Sequence, residues 1–167
     1  KLRLDSTANL DIEGMTAHGS GLLIELKAPL DSDGNAIIWK MHAPDKFLSS
    51  GKIEDADLRY WAGVNVSVKA DSQRVPAGIA DLLVMPDGSL LLAMTASGMK
   101  PRIQTGGVWR AEQAGPGLLD VKLVKTFVGL KPEGLAHSPR ANVVTVAFDR
   151  GSRTPAWTTL RISESRK

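Results

Sequence analysis

The sequence predicts an all-β protein made of three repeated units of four short antiparallel strands. Three observations carry that prediction. Short apolar runs alternate with turn residues along the chain, and no segment keeps a helical period over three turns. Self-comparison aligns three stretches, each opening on an acidic residue and reaching one tryptophan at a similar separation.

The first unit runs EGMTAHGSGLLIEL from Glu13, then the turn DSDGN, then AIIWKM with Trp39. The second runs ADLLVMPDGSLLLAMTA from Ala80, with Asp81 matched to Glu13, then GGVWRA with Trp109. The third runs EGLAHSPRANVVTVAFD from Glu133, then PAWTTLRI with Trp157. The acid-to-tryptophan separations are 26, 28 and 24 residues. Tight turns divide first from second strands at Gly19-Ser20, Pro86-Asp87-Gly88 and Ser138-Pro139-Arg140. Residues 22–26, 90–94 and 143–148 are apolar and partly β-branched, as buried strands are. Residues 58–68 and 118–127 alternate and read as further strands. Together with KLRLD they stand ahead of the three acids, so the expected order is an outer strand followed by three inner ones. The units then span 1–47, 58–113 and 118–167. Four-stranded antiparallel units at this period build β-propellers. A β-sandwich explains the strand count but not the shared register of acid and tryptophan.

Propellers typically have four to eight blades. Three leave sheet faces and an edge open, so the expectation is a partial propeller. Its remaining blades would come from a missing N-terminal half, a second chain or a second copy in a homodimer.

Composition narrows the function classes. Net charge is +3 and the basic residues are scattered rather than focused on one stripe, which argues against nucleic-acid binding. The chain has no cysteine, which removes disulfides, thiol catalysis and cysteine-held metals. No apolar run approaches the roughly 18 residues needed to span a bilayer. The chain opens at Lys1, which reads as an internal start, and secretion or a periplasmic location is the favoured compartment.

The candidate site is the set of acids. In a propeller the first strand of each blade lines the central channel, so Glu13, Asp81 and Glu133 converge there. Converging carboxylates repel unless a cation or a basic residue neutralises them. Calcium, which takes six to eight oxygen ligands, suits such a ring. The competing reading has each acid bonding backbone N–H groups, with Gly14 and Gly134 allowing close approach. Lys27 and Asp149, at the ends of second strands, face the same opening as the acids or form surface pairs. Asp31-Ser32-Asp33-Gly34-Asn35 resembles a calcium loop, but Lys40 stands where its terminal Glu is needed, so it reads as a hairpin turn. Trp39, Trp109 and Trp157 read as packing between blades, and Trp61 beside Tyr60 as the exposed aromatic contact. His18 and His137 read as turn residues remote from the acids. No nucleophile elbow, phosphate loop or His-Glu-x-x-His motif is present.

The strings Ile12-Glu13-Gly14, Gly78-Ile79-Ala80-Asp81-Leu82 and Pro132-Glu133-Gly134-Leu135-Ala136, with Phe148-Asp149-Arg150-Gly151-Ser152, are similar to a bacterial β-propeller family. That family is of unknown function, is related to the phytase-like esterase propellers, and is matched over its C-terminal half. The resemblance implies a propeller fold. Through its relatives it also implies a calcium-assisted hydrolase of phosphoesters or lactones, the metal polarising an oxygen and readying a water. The chain departs at Ala80, where the family tends to be basic, and at Arg150, where it tends to be acidic or small. The leading functional expectation is a propeller module that binds a small ligand or protein partner at the channel mouth. A calcium-assisted hydrolase and a structural half-propeller are the alternatives.

Overall fold

The computed structural model describes residues 9–54, 56–97, 105–112 and 115–163. In chain order the first elements are β1 (Asp11–His18), β2 (Gly21–Ala28), β3 (Ala36–Met41), α1 (Pro44–Ser50), β4 (Leu58–Val64) and β5 (Ser67–Ala70). Next come β6 (Gln73–Val84), β7 (Leu90–Ala96), β8 (Thr105–Ala111), β9 (Gly117–Leu118) and β10 (Val121–Val128). The last are β11 (Lys131–His137), β12 (Val143–Asp149) and β13 (Ala156–Arg161). The protein is all-β, as the alternating pattern and turn residues predict.

These strands form three sheets. The first is the meander β1-β2-β3-β4, with β9 running parallel along the free edge of β4. The second is β6-β7-β8-β10, with β5 folded back on the start of β6. The third is β11-β12-β13. The order differs from the expectation in one respect. Residues 58–64 pair with β3 and residues 121–128 with β8, so the outer strand closes a sheet instead of opening the next. Chain order explains this: sequential strands usually pair with each other, here even across the connection through α1 that joins β3 to β4. The expected single strand over 58–68 is also broken, into β4 and β5. The helix α1 has no counterpart among the sequence expectations, since seven residues are too few to display a period.

Burial divides the sheets by position. All seven residues of β7, LLLAMTA, are buried, because its sheet is covered on both faces. One face packs on the first sheet around Leu23, Ile38, Leu92 and Met94. The other packs on the third sheet around Leu91, Val108, Val146 and Phe148, where Phe127 meets Phe148 edge-on at 4.9 Å. Each buried leucine or phenylalanine contributes about 2 kcal/mol. By contrast β13 alternates between half-buried and exposed positions, so only one of its faces is covered.

The first strand of each sheet carries a β-bulge. Pairing advances from Ile12 to Gly14, from Ile79 to Asp81 and from Pro132 to Gly134 while the partner strand advances one residue. The extra residues are therefore Glu13, Ala80 and Glu133. This corrects the sequence alignment by one position. Ala80, not Asp81, is the structural counterpart of the two glutamates, and Asp81 stands where the other sheets carry Gly14 and Gly134.

The tryptophans are corrected in the same way. Trp39 pairs with Ile24 and Trp109 with Leu92, which are equivalent positions, whereas Trp157 pairs with Ala147, one residue out of step. A one-residue slip turns a side chain to the other face. Trp39 is buried and Trp109 packs on the core, but Trp157 is 69% exposed on the open face of the third sheet. Trp61, expected to be exposed, is buried with its ring 5.4 Å from that of His18.

Candidate functional site

β1, β6 and β11 lie side by side where the sheets meet, β6 packing against both of the others. The bulges aim Glu13 and Glu133 out of the ladder of backbone bonds, and β2 delivers a lysine between them. Lys27 Nζ donates to Glu13 Oε1 and Oε2 at 2.7 and 2.8 Å and to Glu133 Oε1 at 2.8 Å. Lys131 pairs with the same Glu133, and its ammonium is 3.2 Å from Asp149 Oδ2. The result is a ladder of alternating charge: Glu13, Lys27, Glu133, Lys131, Asp149. Lys27 is nearly buried, and the ladder becomes more accessible toward Asp149. Burial by itself lowers the lysine's affinity for its proton, but hydrogen bonds to Glu13 and Glu133 outweigh this and raise the Lys27 pKa. The Gly151 N–H, bonded at 2.7 Å, and then Lys131 hold Asp149 below the usual carboxylate range.

Four of the five expected site residues thus meet. Asp81, the fifth, does different work. Its Oδ2 accepts from the Leu135 N–H at 2.6 Å and its Oδ1 from the Leu82 N–H at 2.8 Å, fastening β6 to β11. Burial raises its pKa, and those two backbone donors partly oppose the rise. Among the described residues no group of three or more His, Asp or Glu side chains is placed to hold a metal ion.

The repeat pattern does not single out Glu25, although an acid inside the apolar run LLIEL is the signal that could have found it. It pairs with Gly14 across β1 and β2, and its side chain is fully buried. Its Oε1 and Asp81 Oδ1 lie 2.9 and 2.8 Å from where a Cβ on Gly14 would stand, so only glycine leaves room for both. Neither Glu25 oxygen has a hydrogen-bond partner among the described residues. Burial first, then the charges of Glu13 and Asp81, push its pKa up to about 9. Glu25 is a neutral acid at pH 7.

A second buried charge is structural. Arg110 donates through Nε to Ser89 Oγ at 3.1 Å, through Nη1 to the Ser163 carbonyl at 2.5 Å, and pairs with Asp87. It ties the Pro86-Asp87-Gly88 turn to the end of the third sheet. The Asp31 loop is a turn, as expected: Asp31 Oδ1 accepts from the N–H groups of Asp33 and Asn35 at 3.0 and 2.8 Å. His137 Nε2 donates to the Val84 carbonyl at 3.0 Å, and His18 faces Lys40 and Trp61.

No known family model, curated protein or solved structure matches the chain. Fold and site together define a class: an all-β protein of three packed, mainly antiparallel sheets whose first and third sheets are joined by a lysine-bridged ladder of carboxylates.

Proposed function

We propose that the chain supplies three blades of a β-propeller and binds a small polar ligand at the outer end of the ladder. Support for the propeller comes from the two consecutive four-stranded meanders, from the juxtaposed first strands and from the uncovered face of the third sheet, on which a further blade would pack. The observation that carries the binding reading is Lys27. It joins a carboxylate 14 residues before it to one 106 residues after it, and so organises the site before any ligand arrives. An outer rung is cheap to exchange, since an exposed ion pair is worth about 1 kcal/mol or less. A ligand carboxylate or phosphate would take Lys131 from Asp149, and a ligand hydroxyl or amine would donate to the freed carboxylate.

Calcium-assisted hydrolysis is the weaker reading, because the Lys27 ammonium occupies the space between Glu13 and Glu133 that a calcium ion would need. A thermal-shift screen of small polar metabolites, run with and without calcium chloride, separates the two. The binding reading expects calcium-independent shifts that Lys131→Met removes while the variant stays folded. A calcium-dependent shift accompanied by hydrolysis of p-nitrophenyl phosphate would replace it with the hydrolase.

A further inference from the structure

The second sheet carries a cleft of about 440 Å³ that shares no residue with the ladder. Small-molecule sites run from about 300 to 1,000 Å³. The β5–β6 hairpin forms one wall, and β8 and β10 form the other. Two features of the lining are unusual for a merely structural crevice.

The first is Trp109. A Cβ on Gly107 would come within 2.8 Å of the indole Cζ3 and 2.9 Å of Cη2, so the glycine lets the ring lie across its own strand. The ring is only partly buried, beside the exposed Leu123, and contributes a flat apolar surface to the cleft.

The second is charge. Lys69 and Arg74 both line the cleft and are direct cross-strand partners at the hairpin end, where like charges destabilise. Among the described residues the ion pairs belong to Lys27, Lys46, Arg110 and Lys131, and Arg74 makes a 3.5 Å bond to the Ser67 carbonyl. None of the described lining residues is acidic, while Thr105 and Thr126 add hydroxyls. Two cations held opposite each other beside an aromatic surface, neither in an ion pair among the described residues, call for an anion. A guanidinium and an ammonium together suit a phosphate or carboxylate oxygen set.

We propose that this cleft is a binding site for a small ring-bearing organic anion, its ring against Trp109 and its phosphate or carboxylate between Lys69 and Arg74. The site is independent of the ladder and of any ligand bound there.

The test is an NMR titration of the full chain that follows the four tryptophan indole N–H signals, with Trp109→Phe identifying the relevant one. The probes are uridine 5′-monophosphate and glucuronate, with uridine and inorganic phosphate as controls lacking the charge or the ring. The expected result is a saturable shift of the Trp109 signal with one of the two anions, at least about tenfold weaker with either control. The double variant Lys69→Gln/Arg74→Gln should weaken that anion at least about tenfold. Without ligand it should melt no lower than the parent, because a like-charge pair has gone. Absence of a saturable Trp109 shift with both anions overturns the proposal, and so does equal affinity in the double variant. Glucuronate without uridine 5′-monophosphate assigns a carboxylate ligand, and the reverse assigns a phosphate.

Discussion

Glu25 lies on β2 between Ile24 and Leu26, directly across from Gly14, with the carboxylates of Glu13 and Asp81 nearby and Lys27 two residues along the same strand. Lys27 is committed to Glu13 and Glu133, so burial leaves Glu25 to fold as a neutral acid. The linkage sign follows. Its pKa rises from the ordinary 4.5 to about 9, so between those values the folded chain holds a proton that the unfolded chain has released. Stability is unaffected by this group below pH 4.5, then falls as pH rises through the window, by up to about 1.4 kcal/mol per pH unit. The raised pKa of Asp81 acts in the same direction. Urea unfolding of the parent and of Glu25→Gln at pH 6, 7, 8 and 9 checks this. The parent should lose stability steadily and the variant should lose clearly less; parallel slopes would refute the assignment. At the same scale, Trp157 and the partly buried Trp109 should account for iodide quenching of tryptophan fluorescence, since Trp39 and Trp61 are buried. Trp157→Phe should remove a large part of the quenchable signal, and Trp39→Phe little of it.

Among the elements, the bulged first strands and the close contact of β6 with β2 decide how the site is built. Gly78 on β6 abuts the carbonyl of Lys27: a Cβ there would collide with that oxygen and lie 2.7 Å from its carbon. Ser97 Oγ donates to the same carbonyl at 2.7 Å, so the backbone that carries Lys27 is clamped against the second sheet. Gly78→Ala must part the first two sheets and is expected to cost about 3 kcal/mol. Gly88 offers the comparison. Its φ is 83° at the Asp87-Gly88 turn, but nothing lies within 4 Å of where its Cβ would stand. Gly88→Ala should therefore cost only about 1 kcal/mol, from the left-handed backbone. Denaturant midpoints rank the two. Equal losses would show that the sheet contact gives way easily. The strand pattern was legible for β7, a continuous apolar run because both its faces are covered; β10, expected to alternate with Leu123 on the inner face, instead shifts register between Leu123 and Lys125 and leaves Leu123 exposed. The bulges were not legible, because an extra residue in a strand leaves no signature in hydrophobic alternation this short.

For the whole molecule, the second sheet is a centre packed on both sides, and the third ends the stack with an open face bearing Ala147, Trp157 and Thr159. If that face receives a further blade, association should cover Trp157. Iodide quenching should then decline as protein concentration rises, in step with a larger mass by light scattering, and Trp157→Lys should abolish both changes. A constant mass with constant quenching would leave the face bare and defeat the expectation of added blades. Sequence by itself determined the all-β class, the division into short strands and the turns at Asp31–Asn35 and Pro86–Gly88, and it named as candidates four of the five members of the charged ladder. These follow from local chemistry: turn residues, a period of two, and recurrence of the acids. Only the tertiary structure decided that Asp81 bonds backbone rather than joining that ladder, that Glu25 is buried beside it, and that Trp157 faces outward. The physical reason is the bulge and the pleat. One inserted or slipped residue moves a side chain to the opposite face of its sheet, and only the packed neighbours reveal which face that is.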